Sequence, residues 1–130
     1  MRLVILDGFT AVDFNEGAPY VSITKNGVTF NKGVIKKLKQ PAYVVLLINA
    51  KAKQIAIQVC DESTTNATTF FKEDKKSNLL SVRWNGRDLL NTISEIMEWD
   101  LANDSYKVLG THLIEENAML FDLDKAEEIR

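Results

Sequence analysis

From Tyr20 to Thr24 the chain alternates apolar and polar residues (Tyr-Val-Ser-Ile-Thr), the period of a strand with one buried face. Lys25-Asn26-Gly27 follows, and Asn-Gly is a strong tight-turn signal because both residues tolerate positive φ. Val28-Thr29-Phe30 resumes the extended pattern. Asn31 then has the place of a helix N-cap, its side-chain oxygen able to accept from the free N–H groups of the first turn. Phe30 and Ile35 flank it at hydrophobic-staple spacing. A short helix is predicted over 32–39, with Val34, Ile35 and Leu38 facing inward and Lys32, Lys36, Lys37 and Lys39 mainly outward. Gln40-Pro41 ends it. Residues 43–48 and 54–59 read as a hairpin around 49–53. Its first strand is apolar on both faces, which predicts a central or interfacial position.

The second half follows a similar plan. Leu80-Ser81-Val82-Arg83 corresponds to Val21-Ser22-Ile23-Thr24, and Asn85-Gly86 stands at the same offset as Asn26-Gly27. A longer helix is predicted over 87–101, with Leu89, Leu90, Ile93, Ile96 and Met97 at helical spacing. Residues 106–109 and 119–123 match the first-half hairpin strands, with Glu115-Glu116-Asn117 as the turn. The tail from Asp124 is charged and reads as a frayed helix.

Two stretches fall outside this repeat. Residues 1–19 read as an arm, with a short strand at 3–6 and Phe9, Val12 and Phe14 as docking anchors. Residues 61–79 are polar and turn-rich at first and charged at the end, with Phe70-Phe71 between, and read as a linker pinned to a core. The expected fold is therefore α+β: two copies of a β–turn–α–β-hairpin unit, swapped-hairpin or small-barrel-like, preceded by an arm. Its divisions are the arm at 1–19, a first unit at 20–60, a linker at 61–79 and a second unit at 80–130.

Charge sharpens this division. Between Val21 and Cys60 there are seven lysines and no acidic residue, whereas from Leu80 to Arg130 eleven acidic residues outnumber five basic ones. The formal net charge of −2 conceals this asymmetry, which bears on partners and not on fold. The 130 residues are long enough to bury a core without a disulfide or metal. The single cysteine, Cys60, precludes an intramolecular disulfide and fits a reducing compartment. No run of eighteen apolar residues and no secretory signal is present, so the expected location is the cytoplasm.

The segment from Val21 through Asn26-Gly27 to Leu38, followed by the hairpin at 43–59, resembles the opening of AbrB/MraZ-type (SpoVT-AbrB-like) swapped-hairpin proteins. Two copies in one chain are similar to the tandem MraZ arrangement. The resemblance implies a DNA-binding transcriptional regulator or antitoxin-like protein whose chains interlock as a dimer or larger homo-oligomer. Lys36 and Lys37 fall near the place where the family's helix carries arginines. Where the family usually has an arginine after the turn glycine, this chain has Val28 in the first unit and Arg87 in the second.

Read as chemistry, Lys25, Lys32, Lys36, Lys37 and Lys39 are candidates for a phosphate-neutralising face. Lysine lacks the guanidinium fork that pairs bidentately with guanine, so such a face leans toward backbone contacts. Its bland counterpart is a solvated surface, or one facing the acidic half. Trp84, between Arg83 and Arg87, is a candidate stacking or ligand contact, with a buried strand-end aromatic as the alternative. Trp99 reads as core or interface. His112 is the only histidine and Cys60 the only thiol, so the usual zinc sets cannot be assembled within one chain, and no metal or other cofactor is expected. No phosphate-cradling glycine loop, nucleophile elbow or paired-carboxylate dyad stands out, and an enzyme is not expected. The competing reading is a protein–protein interaction or structural module driven by the opposite charges of the two halves.

Overall fold

The computed structural model describes residues 17–73 and 80–129. The arm elements expected at 3–6 and at Phe9, Val12 and Phe14 lie outside the described residues, as do 74–79 and Arg130. In chain order the elements are β1 (Tyr20–Thr24), β2 (Gly27–Phe30), α1 (Lys32–Lys37), β3 (Tyr43–Asn49), β4 (Gln54–Val59) and β5 (Ala67–Thr69). They continue with β6 (Val82–Trp84), α2 (Arg87–Met97), β7 (Ser105–Leu113), β8 (Ala118–Asp122) and β9 (Glu127–Ile129). A 3-10 turn, Leu123–Lys125, joins β8 to β9.

Eight strands run in the order β5-β3-β4-β8-β7-β1-β2-β6, and β9 adds to β7 off this path. All of these pairings are antiparallel. The sheet curls into a half-barrel, and β7 is the strand that turns the corner. Its first part pairs with β1 from Tyr106 to Leu109, and its second with β8 from Gly110 to Leu113. Gly110 marks the change, its N–H donating to the Pro19 carbonyl at 2.9 Å.

The alternating pattern decides which side of each strand is buried. Val21 and Ile23 of β1, Val28 and Phe30 of β2, and Val108 of β7 face inward from one part of the curl. Ile55 and Ile57 of β4 and Met119 and Phe121 of β8 face them from the other. Val34 and Ile35 of α1 and Ile93 of α2 close the ends. At the centre, the Phe30 ring lies 4.9 Å from Trp84, 5.4 Å from Phe70 and 5.8 Å from Phe121, the first two contacts edge-on.

Local signals at the first unit's turn and helix start have direct structural counterparts. Asn26 N–H donates to Thr24 Oγ1 at 3.0 Å in the β1–β2 turn. Gly27 adopts φ +141°, and a Cβ there would fall 2.6 Å from the Trp84 carbonyl oxygen, so the close approach of β6 requires glycine. Asn31 caps α1, its Oδ1 accepting from Val34 N–H at 3.2 Å.

The expectation of a balanced α+β protein made of two hairpin units is overturned. Among the described residues the fold is mostly antiparallel β, with about 19% helix and two α-helices. Two local differences explain this. In the second half the helix expected from 87 starts directly after Asn85-Gly86, with Gly86 as its N-cap, so no short strand intervenes and the β1–β2 hairpin has no counterpart. The two halves also pair with one another, β1 with β7, β2 with β6 and β4 with β8, in place of closing separately. The charged tail, read as a frayed helix, instead contains the 3-10 turn and strand β9, and the stretch read as a linker contains β5. Among the described residues no helix is long and apolar enough to cross a membrane.

Candidate functional site

The five candidate lysines are divided between the two ends of β1. Lys25 lies exposed in the β1–β2 turn. The helix carrying Lys32, Lys36 and Lys37 starts at the other end of β1, because Tyr20 N–H donates to Asn31 Oδ1 at 2.9 Å and Asn31 N–H to the Tyr20 carbonyl at 3.1 Å. Five residues of strand at about 3.3 Å each separate the two ends by roughly 15 Å. Lys32, Lys36 and Lys37 are half-buried, and Lys39 is exposed just beyond the helix. Lys37 and Lys39 border a depression of their own, with Leu38, Pro41, Val59 and His112.

What the structure does bring together is Lys25 with Arg83 and Arg87. Strand β6 pairs with β2 in a register that sets Thr29 opposite Arg83 and Val28 opposite Trp84. Because facing residues share a side of the sheet, Lys107, Ser22, Thr29 and Arg83 form one outward row across β7, β1, β2 and β6. Arg83 Nε donates to Thr29 Oγ1 at 3.2 Å, which orients an otherwise exposed guanidinium. At the near end of the row, Lys107 Nζ sits 4.2 Å above the Tyr20 ring centroid, a cation–π distance.

The turn end of this row opens into two adjoining depressions that share Lys25, Leu101 and Ala102. The first, about 550 Å³, is lined by Ser22, Thr24, Asn26, Thr29, Arg83, Asn103 and Ser105. The second, about 580 Å³, is bounded by Arg87 at the start of α2, by Asn85, Asn91 and Ser94, and by Leu90, Trp99 and Asp100. Asp100 is largely occupied with its own loop: its Oδ1 accepts from Ala102 N–H at 3.2 Å and its Oδ2 from Asn103 Nδ2 at 2.7 Å. Asp100 keeps its negative charge, so three cations and one carboxylate line the two depressions, with hydroxyl and amide groups around them.

The two tryptophans take different places. The Trp84 ring packs edge-on against Phe30 and Phe70, and its buried Nε1 has no hydrogen-bond partner among the described residues. Trp99 is half-buried and stacks face to face on Tyr106, centroids 3.8 Å apart and planes 9° from parallel. Burial, followed by the negative charges of Asp104, Glu128 and Asp100, raises the Tyr106 pKa above its ordinary value. Among the described residues no three His, Cys, Asp or Glu side chains are grouped so as to hold a metal ion.

The sequence groups Lys25 with the helix lysines and Arg83 and Arg87 with Trp84, and its pattern assigns Trp99 to the core or an interface. The convergence of Lys25, Arg83, Arg87 and Trp99 depends on the β2–β6 pairing and on the path of the loop after α2, neither of which leaves a local signal. The chain matches no protein-family model, no curated protein and no solved structure.

Proposed function

We propose that the protein binds nucleic acid, DNA in a regulatory role being the leading case, by holding phosphates at the end of the sheet where Lys25, Arg83 and Arg87 converge. One observation carries this reading: three cations from three separate elements border two adjoining polar depressions. Arginine presents a planar fork that meets phosphate bidentately, and lysine adds a mobile point charge. The hydroxyls of Ser22, Thr24 and Thr29 supply neutral donors beside them. Three phosphate contacts correspond to a salt slope of about −2.7, or an affinity loss of roughly 40-fold between 50 and 200 mM salt. Fluorescence anisotropy of labelled duplex and single-stranded DNA at those two concentrations tests the reading, and binding of neither at the lower salt would remove it.

A second reading, association with another protein chain, is favoured by the edge of β3. Strand β5 covers β3 only along Tyr43, Val44 and Val45. Among the described residues, 46–49 have no partner on that side, and Leu47 and Ile48 are 47% and 41% exposed. An apolar strand with an unpaired edge is a template for strand addition. Light scattering coupled to size exclusion across a concentration series tests this reading, which a strictly monomeric chain at high concentration would weaken for self-association.

A further inference from the structure

We infer that the depression walled by Trp99 accepts one unpaired base of a single-stranded nucleic acid while Lys25 and Arg87 hold the adjoining phosphate. This inference rests on the phosphate-binding reading above and goes beyond it by naming the form of nucleic acid the site selects.

The depression combines groups that a nucleotide needs and a bare phosphate does not. Its walls include an aromatic ring and two aliphatic side chains, Trp99, Leu90 and Leu101. Its rim carries the two cations, supplied by the β1–β2 turn and the first turn of α2. Asn85 and Asn91 add amide donors and acceptors suited to base edges. At about 580 Å³ it lies within the roughly 300–1,000 Å³ range of small-molecule sites.

Tyr106 fixes the indole. It covers one face of Trp99 by parallel stacking and does not itself line the depression, so the surface Trp99 contributes there is the part Tyr106 leaves uncovered. A ring held in place loses little freedom when a base docks on it. A duplex keeps its bases stacked inside and offers the aromatic wall nothing, whereas a single strand offers a base face at every nucleotide. Asp100 keeps its charge, and among the lining groups Lys25 and Arg87 outnumber it. The neighbouring Arg83 depression extends the cationic track for the next phosphate along the strand.

The test compares labelled oligo-dT of about twelve nucleotides with a duplex of equal length, using the full chain at roughly 50 and 200 mM salt. The expected result is at least about tenfold tighter binding of the single strand. Trp99→Leu, which keeps an apolar wall, is expected to abolish the preference and keep the salt slope, and Trp99→Phe to restore part of it. Salt-sensitive binding without single-strand preference, or a preference that survives Trp99→Leu, overturns this inference and leaves the phosphate reading standing. Binding of neither nucleic acid at the lower salt removes both. Should Trp99→Leu fail to fold by circular dichroism, dTMP quenching of Trp99 fluorescence in a Trp84→Phe background replaces it. Quenching by dTMP but not by inorganic phosphate supports the base site, and equal responses overturn it.

Discussion

Gly110 of β7 stands directly across from Phe121 of β8, and a Cβ added to Gly110 would fall 2.9 Å from Phe121 Cε1. It would also fall 2.9 Å from Met119 Sδ. Both neighbours are fully buried, so neither can yield into solvent. The missing side chain lets β7 bend from one part of the curled sheet to the other while the core closes over it. Gly110→Ala is expected to destabilise the fold by about 1–3 kcal/mol through overpacking, read as a lower urea midpoint at unchanged slope.

Asn31 ties the start of the first helix to the start of the first strand. Its Oδ1 accepts from both Tyr20 and Val34 N–H groups, and its Nδ2 donates to the Ala18 carbonyl at 2.8 Å. Asn31→Ala removes a cap and two long-range hydrogen bonds together, so a loss of about 2 kcal/mol is expected. Asn31→Asp keeps the acceptor but sets a carboxylate oxygen against the Ala18 carbonyl where Nδ2 donated, and the repulsion of the two acceptors should offset part of what the retained cap restores in thermal unfolding.

Trp84 has a buried indole nitrogen with no partner among the described residues, set in a cluster with Phe30 and Phe70. Trp84→Phe removes the unsatisfied donor along with some volume, and the two effects oppose one another. A net change under about 1.5 kcal/mol is expected, against about 3–5 kcal/mol for Trp84→Ala, measured by chemical denaturation.

These positions also mark what the sequence discloses and what it withholds. The Asn31 cap, the Asn26-Gly27 turn and the alternation in β1 and β4 are encoded within a few residues, and each is legible because its partner lies close along the chain. The same Asn-Gly pair at 85–86 follows a different course, since the helix that starts there takes Gly86 as its cap. The residues that follow distinguish the two pairs, Val28-Thr29-Phe30 being extended and the stripe from Leu89 helical; what leaves no local trace is that β6 adds to the edge of β2. The curl depends on β7 exchanging partners at Gly110, and the basic site on Thr29 meeting Arg83 across 54 positions of sequence. Such long-range pairings are selected by packing of the whole sheet and leave little trace in local periodicity.

Tyr106 is expected to titrate above the ordinary tyrosine value near 10, because burial and the charges of Asp104, Glu128 and Asp100 all disfavour the phenolate. A raised folded-state pKa means the folded protein holds this proton more tightly than the unfolded chain does. The corresponding stability is fully present below pH 10 and is lost as pH rises through the folded-state pKa. Absorbance near 295 nm should show one tyrosine ionising late, and Asp104→Asn should shift that transition downward without removing the contribution of burial.

Charge reversal separates the site the fold assembles from the helix face that the sequence suggests. Arg83 and Arg87 share depressions with Lys25, whereas Lys36 and Lys37 belong to α1 at the opposite end of β1. Each phosphate contact contributes about 0.9 to the salt slope, so Arg83→Glu/Arg87→Glu should flatten the slope by roughly 2 and weaken duplex binding at 50 mM salt more than tenfold. Arg83→Ala alone also removes the hydrogen bond to Thr29, but at an exposed position the stability cost should stay within about 0.5 kcal/mol. Lys36→Glu/Lys37→Glu carries the same change in net charge and controls for long-range attraction. If the arginine pair reduces the slope and the lysine pair does not, phosphate is held at the turn end of the sheet. If the lysine pair alone abolishes binding, the helix face is the interface and the turn-end site is wrong.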